Sequence, residues 1–318
     1  LIFGDNLQAM KTLLQMKADG KLVNADGTPG VRLIYIDPPF STRRDFKGSQ
    51  DQKAYQDRIA GAQFLEFLRK RLVLLKELLA KNGSIYIHLD YRKGHYAKVL
   101  MDEILGEQNF VNEIIWSYRT GGVSKNFFAR KHDNIYFYAK SNDFLFNTQY
   151  YKSYQQKKYN FSEKYPEFFD EEKKMWYHNS VCRDVWEDAY PLGTEADSKE
   201  RVDFPTQKPE ALIKRIIEAS SNEGDIVLDV FAGSGTTPVT AEKLGRRWIA
   251  IDVSKLAIYT TQKRMLTSRK NIGNTGDKLE PKPFTLYNAG LYDFENLKSL
   301  PWEDWRFFAL QLFEVKDE

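Results

Sequence analysis

The chain has 318 residues, with 47 Lys and Arg against 44 Asp and Glu, for a formal charge of +3. At roughly 150 residues per domain, this length suggests about two domains, or one large domain with an insertion. The charge is too mild to argue for nucleic acid by itself, and 42% hydrophobic content beside 29% charged residues argues against global disorder. Cys182 stands alone, which excludes an intrachain disulfide and a multi-cysteine zinc site and fits a reducing, cytoplasmic compartment. The most apolar helical stretch, residues 72–80, is broken by Lys76 and Glu77, so no membrane span is expected. No secretory signal is visible. Position 1 is Leu and already reads as the inside of a strand, so the chain is expected to be a fragment whose start is missing.

In chain order, Leu1-Ile2-Phe3 reads as a short buried strand ending at Gly4-Asp5, and residues 31–36 as a second ending at Asp37. Leu65, Leu68, Leu72, Leu75 and Leu79 recur at spacings of three and four and predict a helix, with Asn82-Gly83 as its stop. Residues 84–89 form a third strand, ending at Asp90. Residues 114–118 and 135–139 predict an edge hairpin around Gly121-Gly122. Residues 144–203 are rich in Tyr, Phe, Lys, Gln and Asn without a clean period and read as an inserted module. Pro209 opens a helix with Leu212, Ile213, Ile216 and Ile217 on one stripe. Strands follow at 225–230 and 248–251, the latter ending at Asp252, and Ser254 caps a helix running to about Met265. Residues 271–283 read as a linker, and residues 284–318 as an aromatic, acidic extension. Strand and helix in this rhythm give an α/β fold with a mostly parallel sheet, whose ligands bind at the carboxyl ends of the strands. Asp5, Asp37 and Asp252 share that edge.

Two motifs carry the chemistry. Asp37-Pro38-Pro39-Phe40 follows a buried strand: the prolines stiffen the turn and donate no hydrogen bond. The Pro38 carbonyl and the Asp37 carboxylate then offer two acceptors to a planar group bearing an NH2, and Phe40 offers a ring to stack on. Further along, Asp229-Val230-Phe231-Ala232-Gly233-Ser234-Gly235-Thr236-Thr237 runs from a strand through a Gly-rich turn into a helix, where backbone can approach a ligand closely. Asp252 follows Asp229 by 23 residues, the place of an acid that binds ribose hydroxyls. Thr237-Pro238 stands where a dinucleotide fingerprint needs its third glycine, so a single-nucleoside cofactor fits better.

With Thr206-Gln207-Lys208-Pro209 between them, these motifs resemble the amino-group DNA methyltransferases that use S-adenosylmethionine. The order, acceptor motif first and Gly-rich motif last, is that of the permuted beta class, and the resemblance spans residues 1–265. It implies a Rossmann-like class I methyltransferase fold, circularly permuted, in which strand 225–230 stands first, 248–251 second, 1–3 third and 31–36 fourth. It implies a catalytic half at 1–143, a target recognition region at 144–203, a cofactor-binding half at 204–270, and a linker with an extension at 271–318. Catalytic roles fall to Asp37, Pro38, Pro39 and Phe40, on which an extruded base would stack. Phe231, Gly233, Ser234, Gly235 and Thr236, with Asp229 and Asp37, would surround the methionine end of S-adenosylmethionine. Asp252 would hold its ribose, Asp5 its adenine, and Thr206 and Lys208 its carboxylate. Many relatives carry His where this chain has Phe204, so any polar contact of that His is missing or replaced.

The implied substrate is an adenine N6 amine in double-stranded DNA, within a restriction-modification system, with a restriction subunit or a second copy as partner. Cytosine N4 is the alternative, and a non-catalytic DNA-binding partner of the same fold is another. DNA contacts are expected from Arg43, Arg44 and Lys47 beside the acceptor motif, and from Arg119, Lys125, Arg130 and Lys131, interleaved with Phe127 and Phe128. His88, His95, His132 and His178 do not form a ligand set, and no metal is expected.

Overall fold

Six consecutive buried residues, Val31 to Ile36, have to be covered on both faces of the sheet they join. The computed structural model shows how. It describes residues 1–39, 45–47, 53–56, 62–118, 124–160, 166–189, 192, 198–202, 204–289, 301–303 and 306. Strand β1 (Ile2–Gly4) leads through helix α1 (Asn6–Ala18) to β2 (Val31–Ile36). A short pair, β3 (Asp45–Lys47) and β4 (Lys53–Gln56), precedes α2 (Ala62–Leu78), β5 (Leu79–Asp90) and α3 (Gly94–Leu105). Next come β6 (Phe110–Ser117), β7 (His132–Ala139), β8 (Tyr150–Gln155), β9 (Glu167–Asp170), β10 (Met175–Val181) and β11 (Val185–Trp186). The last third holds α4 (Glu210–Ser220), β12 (Ile226–Asp229), α5 (Thr236–Lys243), β13 (Arg247–Asp252) and α6 (Lys255–Thr267). It closes with β14 (Arg269–Asn271), β15 (Thr275–Lys278) and β16 (Tyr287–Ala289).

Among the described residues the main sheet has nine strands in the order β11-β6-β7-β5-β2-β12-β13-β1-β16. The strand before the Gly-rich turn, β12, lies between β2 and β13, with β1 beyond β13, as the permuted order requires. These pairings are parallel, with Leu33 opposite Val227 and Ile2 opposite Ile251. The β5–β7 and β6–β7 pairings are antiparallel. Side chains alternate across β2. Ile34 and Ile36 face a core of Met10, Leu68, Leu72 and Leu75 from α1 and α2. Leu33 and Tyr35 face Leu212, Ile213, Ile216 and Ile217 of α4.

Four expectations need correction. The α2 stripe is Phe64, Leu68, Leu72, Leu75 and Leu78, with Leu65 half-buried. Helix α2 ends at Leu78, and Asn82-Gly83 lies inside β5 rather than at a helix stop. A Cβ on Gly83 would sit 2.7 Å from the Val31 carbonyl oxygen, so its glycine serves a close strand approach. The β6–β7 hairpin is not outermost, because β11, from within the 144–203 insertion, pairs parallel with β6. The same insertion also holds a separate sheet, β8-β10-β9. Finally, the supposed linker forms the β14–β15 hairpin, and β16 just beyond it pairs with β1.

Leu72 has no exposed surface and sits between α2 and the sheet. Leu72→Ala should cost about 2–5 kcal/mol, from lost burial plus the cavity left behind. Urea unfolding followed by circular dichroism should show a lower midpoint at unchanged slope.

Candidate active site

The Gly-rich turn is pinned by the acid that precedes it. Asp229 Oδ1 accepts from the Phe231 N–H at 2.9 Å, and Oδ2 from the Thr237 hydroxyl at 2.6 Å. Burial pushes the Asp229 carboxyl up to about 7, and the charges of Asp37 and Asp252 push it the same way. Asp252, at the end of β13, accepts from the N–H of Gly233 and of Ser254, each at 2.8 Å, and burial raises its carboxyl too. Gly233 and Gly235 both take left-handed backbone, φ 50° and 77°. At Gly235 a Cβ would lie 2.5 Å from the Thr261 hydroxyl of α6. The close approach seats the turn on α6.

Behind the turn lies a buried charge cluster. Arg264 donates to the Ser234 carbonyl at 3.0 Å and to the Thr236 hydroxyl oxygen at 2.9 Å. Its guanidinium also meets Glu210 Oε1 at 3.2 Å, and Lys243 meets Glu210 Oε2 at 2.7 Å. Glu200, pushed up to about 7 by burial, accepts the Glu210 N–H at 2.9 Å.

Asp37, Pro38 and Pro39 lie at the carboxyl end of β2, across from that turn. Asp37 Oδ2 is paired with the Lys208 ammonium. Its Oδ1 is buried and has no hydrogen-bond partner among the described residues. Beneath it, the Tyr35 hydroxyl meets His88 Nδ1 at 2.9 Å, and His88 Nε2 meets Asp133 Oδ2 at 3.2 Å. Asp5 caps α1, Oδ1 accepting from the N–H of Leu7 at 2.9 Å and of Gln8 at 3.2 Å. Thr206, a β-branched residue, takes φ 63°, a strained conformation at the rim. The two motifs enclose one cavity of about 770 Å³, within the range of small-molecule sites. Asp5, Asp37, Thr206, Lys208, Phe231 and Asp252 are among the residues lining it.

A sequence model described as DNA methylase (N6_N4_Mtase) matches residues 31–263. The chain belongs to the DNA methylase family. The type II methyltransferase M.EcaI of Enterobacter cloacae is 27% identical over 86% of this chain and 70% of its own length. The DNA adenine methyltransferase YhdJ of Escherichia coli (strain K12) is 30% identical over 74% of this chain and 76% of its own. The M1.HpyAVI–SAM complex shares the fold, with a TM-score of 0.51 at 22% identity over 83% of this chain and all of that one.

S-adenosylmethionine, the cofactor the family implies, fits the residues present. Each Asp252 oxygen holds one backbone N–H and keeps a lone pair for a ribose hydroxyl. Gly233, Ser234 and Thr236, expected at the methionine end, line the cavity. Asp5, expected at the adenine, has Oδ1 committed to its helix cap and Oδ2 3.6 Å from Arg71. Lys208, expected at the donor's carboxylate, has its ammonium on Asp37 Oδ2. Phe204 lines the cavity, its ring against Gly233.

The residues expected to face DNA are only partly described. Phe40, Arg43, Arg44 and Arg119 lie outside the described residues, as does the side chain of Lys47. Lys125, Arg130 and Lys131 sit in the β6–β7 connection, next to the carboxyl end of β5, since Asp133 pairs with Asp90. Arg130 donates to the Tyr91 hydroxyl at 2.9 Å and lies 4.8 Å over the Phe127 ring, with Phe128 98% exposed beside it.

Asn6, Phe67 and Arg71 were not foreseen. Asn6 donates to the Val230 carbonyl at 2.9 Å and accepts from Arg71 Nε at 2.7 Å. The Arg71 guanidinium lies 3.5 Å over the Phe67 ring, and Phe67 stands 5.9 Å from Phe231. One signal was available: Arg71 falls on the apolar stripe, between Leu68 and Leu75, where a charge needs a partner.

Asp229 gives a pH test. Its carboxyl is raised from an ordinary 3.8 to about 7 in the fold. A raised acid costs the fold nothing below its unfolded value, and the penalty grows as pH climbs and is complete above the folded value. Asp229→Asn removes that titration and retains an acceptor for Phe231. Between pH 4 and 8 the stability of the wild type should fall relative to the variant by on the order of 2–4 kcal/mol. Urea midpoints across that pH range check it; a constant difference between the two proteins refutes it.

Proposed function

We propose that the protein methylates the N6 amino group of adenine at specific sites in double-stranded DNA, as the modification enzyme of a restriction-modification system. The observation that carries this reading is Asp37, which lines the cavity with Pro38 and whose Oδ1 is a buried acceptor without a partner among the described residues. An exocyclic amine has two N–H bonds and a lone pair delocalised into its ring. Two acceptors, Asp37 Oδ1 and the Pro38 carbonyl, take those N–H bonds and favour a localised lone pair. Bound S-adenosylmethionine supplies an electrophilic sulfonium methyl group. Asp252 and the Gly233–Thr236 turn hold the donor's ends, while Asp37 and Pro38 hold the amine, so much of the acceleration comes from alignment. Asp37 Oδ1 then holds the proton released by the amine.

A paired base is out of reach inside a duplex, so the target must be extruded, at a cost of a few kcal/mol that DNA contacts have to offset. Lys125, Arg130 and Lys131 suit the phosphate backbone there. We assign target recognition to residues 144–203, between a catalytic half at 1–143 and a cofactor-binding half at 204–270. The face of β8-β10-β9 supports this: Lys152 lies 4.4 Å over the Tyr177 ring, and Lys173 lies 4.1 Å over Tyr154. Adenine is preferred over cytosine because YhdJ is named a DNA adenine methyltransferase. A cytoplasmic location follows from a DNA substrate; among the described residues no helix is long and apolar enough to cross a membrane. A relative named the HindVI Mod subunit of a probable type III restriction-modification enzyme supports a restriction partner; a second copy of the chain is the alternative.

Nucleoside mass spectrometry of DNA treated with the protein and S-adenosylmethionine should show N6-methyladenine. N4-methylcytosine would transfer the assignment to the other base, and no methylated nucleoside would leave a non-catalytic binding partner. Asp37→Ala should lower methyl transfer by about 10³-fold or more, with S-adenosylhomocysteine binding retained within a few-fold. Asp252→Ala should weaken S-adenosylhomocysteine binding by about tenfold or more in calorimetry, through lost ribose contacts and a loosened Gly233 turn.

A further inference from the structure

We propose that Lys208 is a positioning residue for Asp37, and that it serves the acceptor carboxylate rather than the carboxylate of the methyl donor. The proposal rests on the reading of Asp37 given above. A carboxylate at a strand end turns freely about its last torsion, whose wells are broad. To present one oxygen to an amine it must be held by the other. Lys208 does this: its ammonium is on Asp37 Oδ2, and Oδ1 is left without a partner among the described residues. Both side chains are largely withdrawn from water, with 10% and 18% of their surface exposed.

The main chain of Lys208 is fixed independently. Its carbonyl accepts from the Thr236 hydroxyl at 3.0 Å. That hydroxyl oxygen accepts in turn from Arg264 at 2.9 Å, and Arg264 is held by Glu210, the residue two positions after Lys208. Pro209 between them has a fixed φ and opens α4. Lys208 thus joins the two halves of the site. Its backbone is tied to the first turn of α5, which belongs to the donor-binding turn, and its side chain is tied to the acceptor motif. An ammonium seated this way aims Asp37 Oδ1 only when the Gly-rich turn is in place.

The experiment uses the full chain with Lys208→Met and Lys208→Arg. Calorimetry measures the Kd of S-adenosylhomocysteine and of 5′-methylthioadenosine, which lacks the amino-acid end. Single-turnover methylation of duplex DNA measures the transfer rate. We expect Lys208→Met to slow transfer by about 10²-fold, as a misplaced group does, while both Kd values stay within about threefold. Lys208→Arg, which keeps the charge, should recover at least about a tenth of the wild-type rate. In an Asp37→Asn background, Lys208→Met should cost little more, because the residue acts through Asp37. The proposal is overturned if S-adenosylhomocysteine binding weakens about tenfold or more while methylthioadenosine binding is unchanged, since Lys208 then holds the donor's carboxylate. Wild-type transfer rates in Lys208→Met overturn it too. If that variant fails to fold, Lys208→Arg decides: below about a hundredth of the wild-type rate, with normal Kd values, charge alone is not the device. A wild-type chain that methylates no DNA sinks the functional reading instead, and the two Kd values still decide what Lys208 holds.

Discussion

The parallel pairing of Leu33 and Ile34 with Val227 and Leu228 is the contact on which the site depends. It joins stretches that lie far apart in the chain and sets the ends of β2 and β12 side by side. Asp37 and the turn after Asp229 then share one edge of the sheet, where open parallel sheets bind their ligands. Register decides the rest. Tyr35 faces α4, and Asp37, two residues on, leaves the strand on that same side, toward Lys208. A slip of one residue would send every side chain of β2 to the opposite face. The burial of all six β2 residues makes such a slip costly.

That edge gathers four acidic side chains, Asp5, Asp37, Asp229 and Asp252, around one cavity. Buried carboxylates are tolerated only with donors or cations around them. Three of the four spend their hydrogen bonds on architecture: Asp5 on the start of α1, Asp229 on both ends of the Gly-rich turn, and Asp252 on Gly233 and Ser254. Asp37 differs in having one oxygen committed to an ammonium and the other to nothing among the described residues. The contrast sets Asp37 apart from the three acids whose hydrogen bonds hold the cavity's walls, a distinction that residue type alone does not make.

The sequence was legible where a signal is local or contiguous. Buried strands show as apolar runs, so the central strands and their order around the Gly-rich turn are those expected. The two motifs flank one cavity for the same reason: each is a short turn that follows a strand. What was missed depends on contacts between distant segments. Asn82-Gly83 looks like a helix stop, but what Gly83 answers to is the Val31 carbonyl, 2.7 Å from where a Cβ would be. Strands of two or three residues, such as β11 and β16, are too short to show a period. Lys208 lies beside a motif associated with the donor, and only folding shows it against an acid 171 positions away. Arg71 was half legible, since its place on an apolar stripe marks it as paired without saying that Asn6 and Phe67 receive it.

Gly4 belongs to both the cavity wall and the outer edge of the sheet. At φ 145° it lets β16 dock so closely that a Cβ would stand 2.0 Å from the Ala289 carbonyl oxygen. The residue before Asp5 therefore has no room for any side chain. The rim of the donor cavity and the last strand among the described residues are mechanically one unit: peel Tyr287–Ala289 from the sheet, and the backbone that carries Asp5 loses its outer wall.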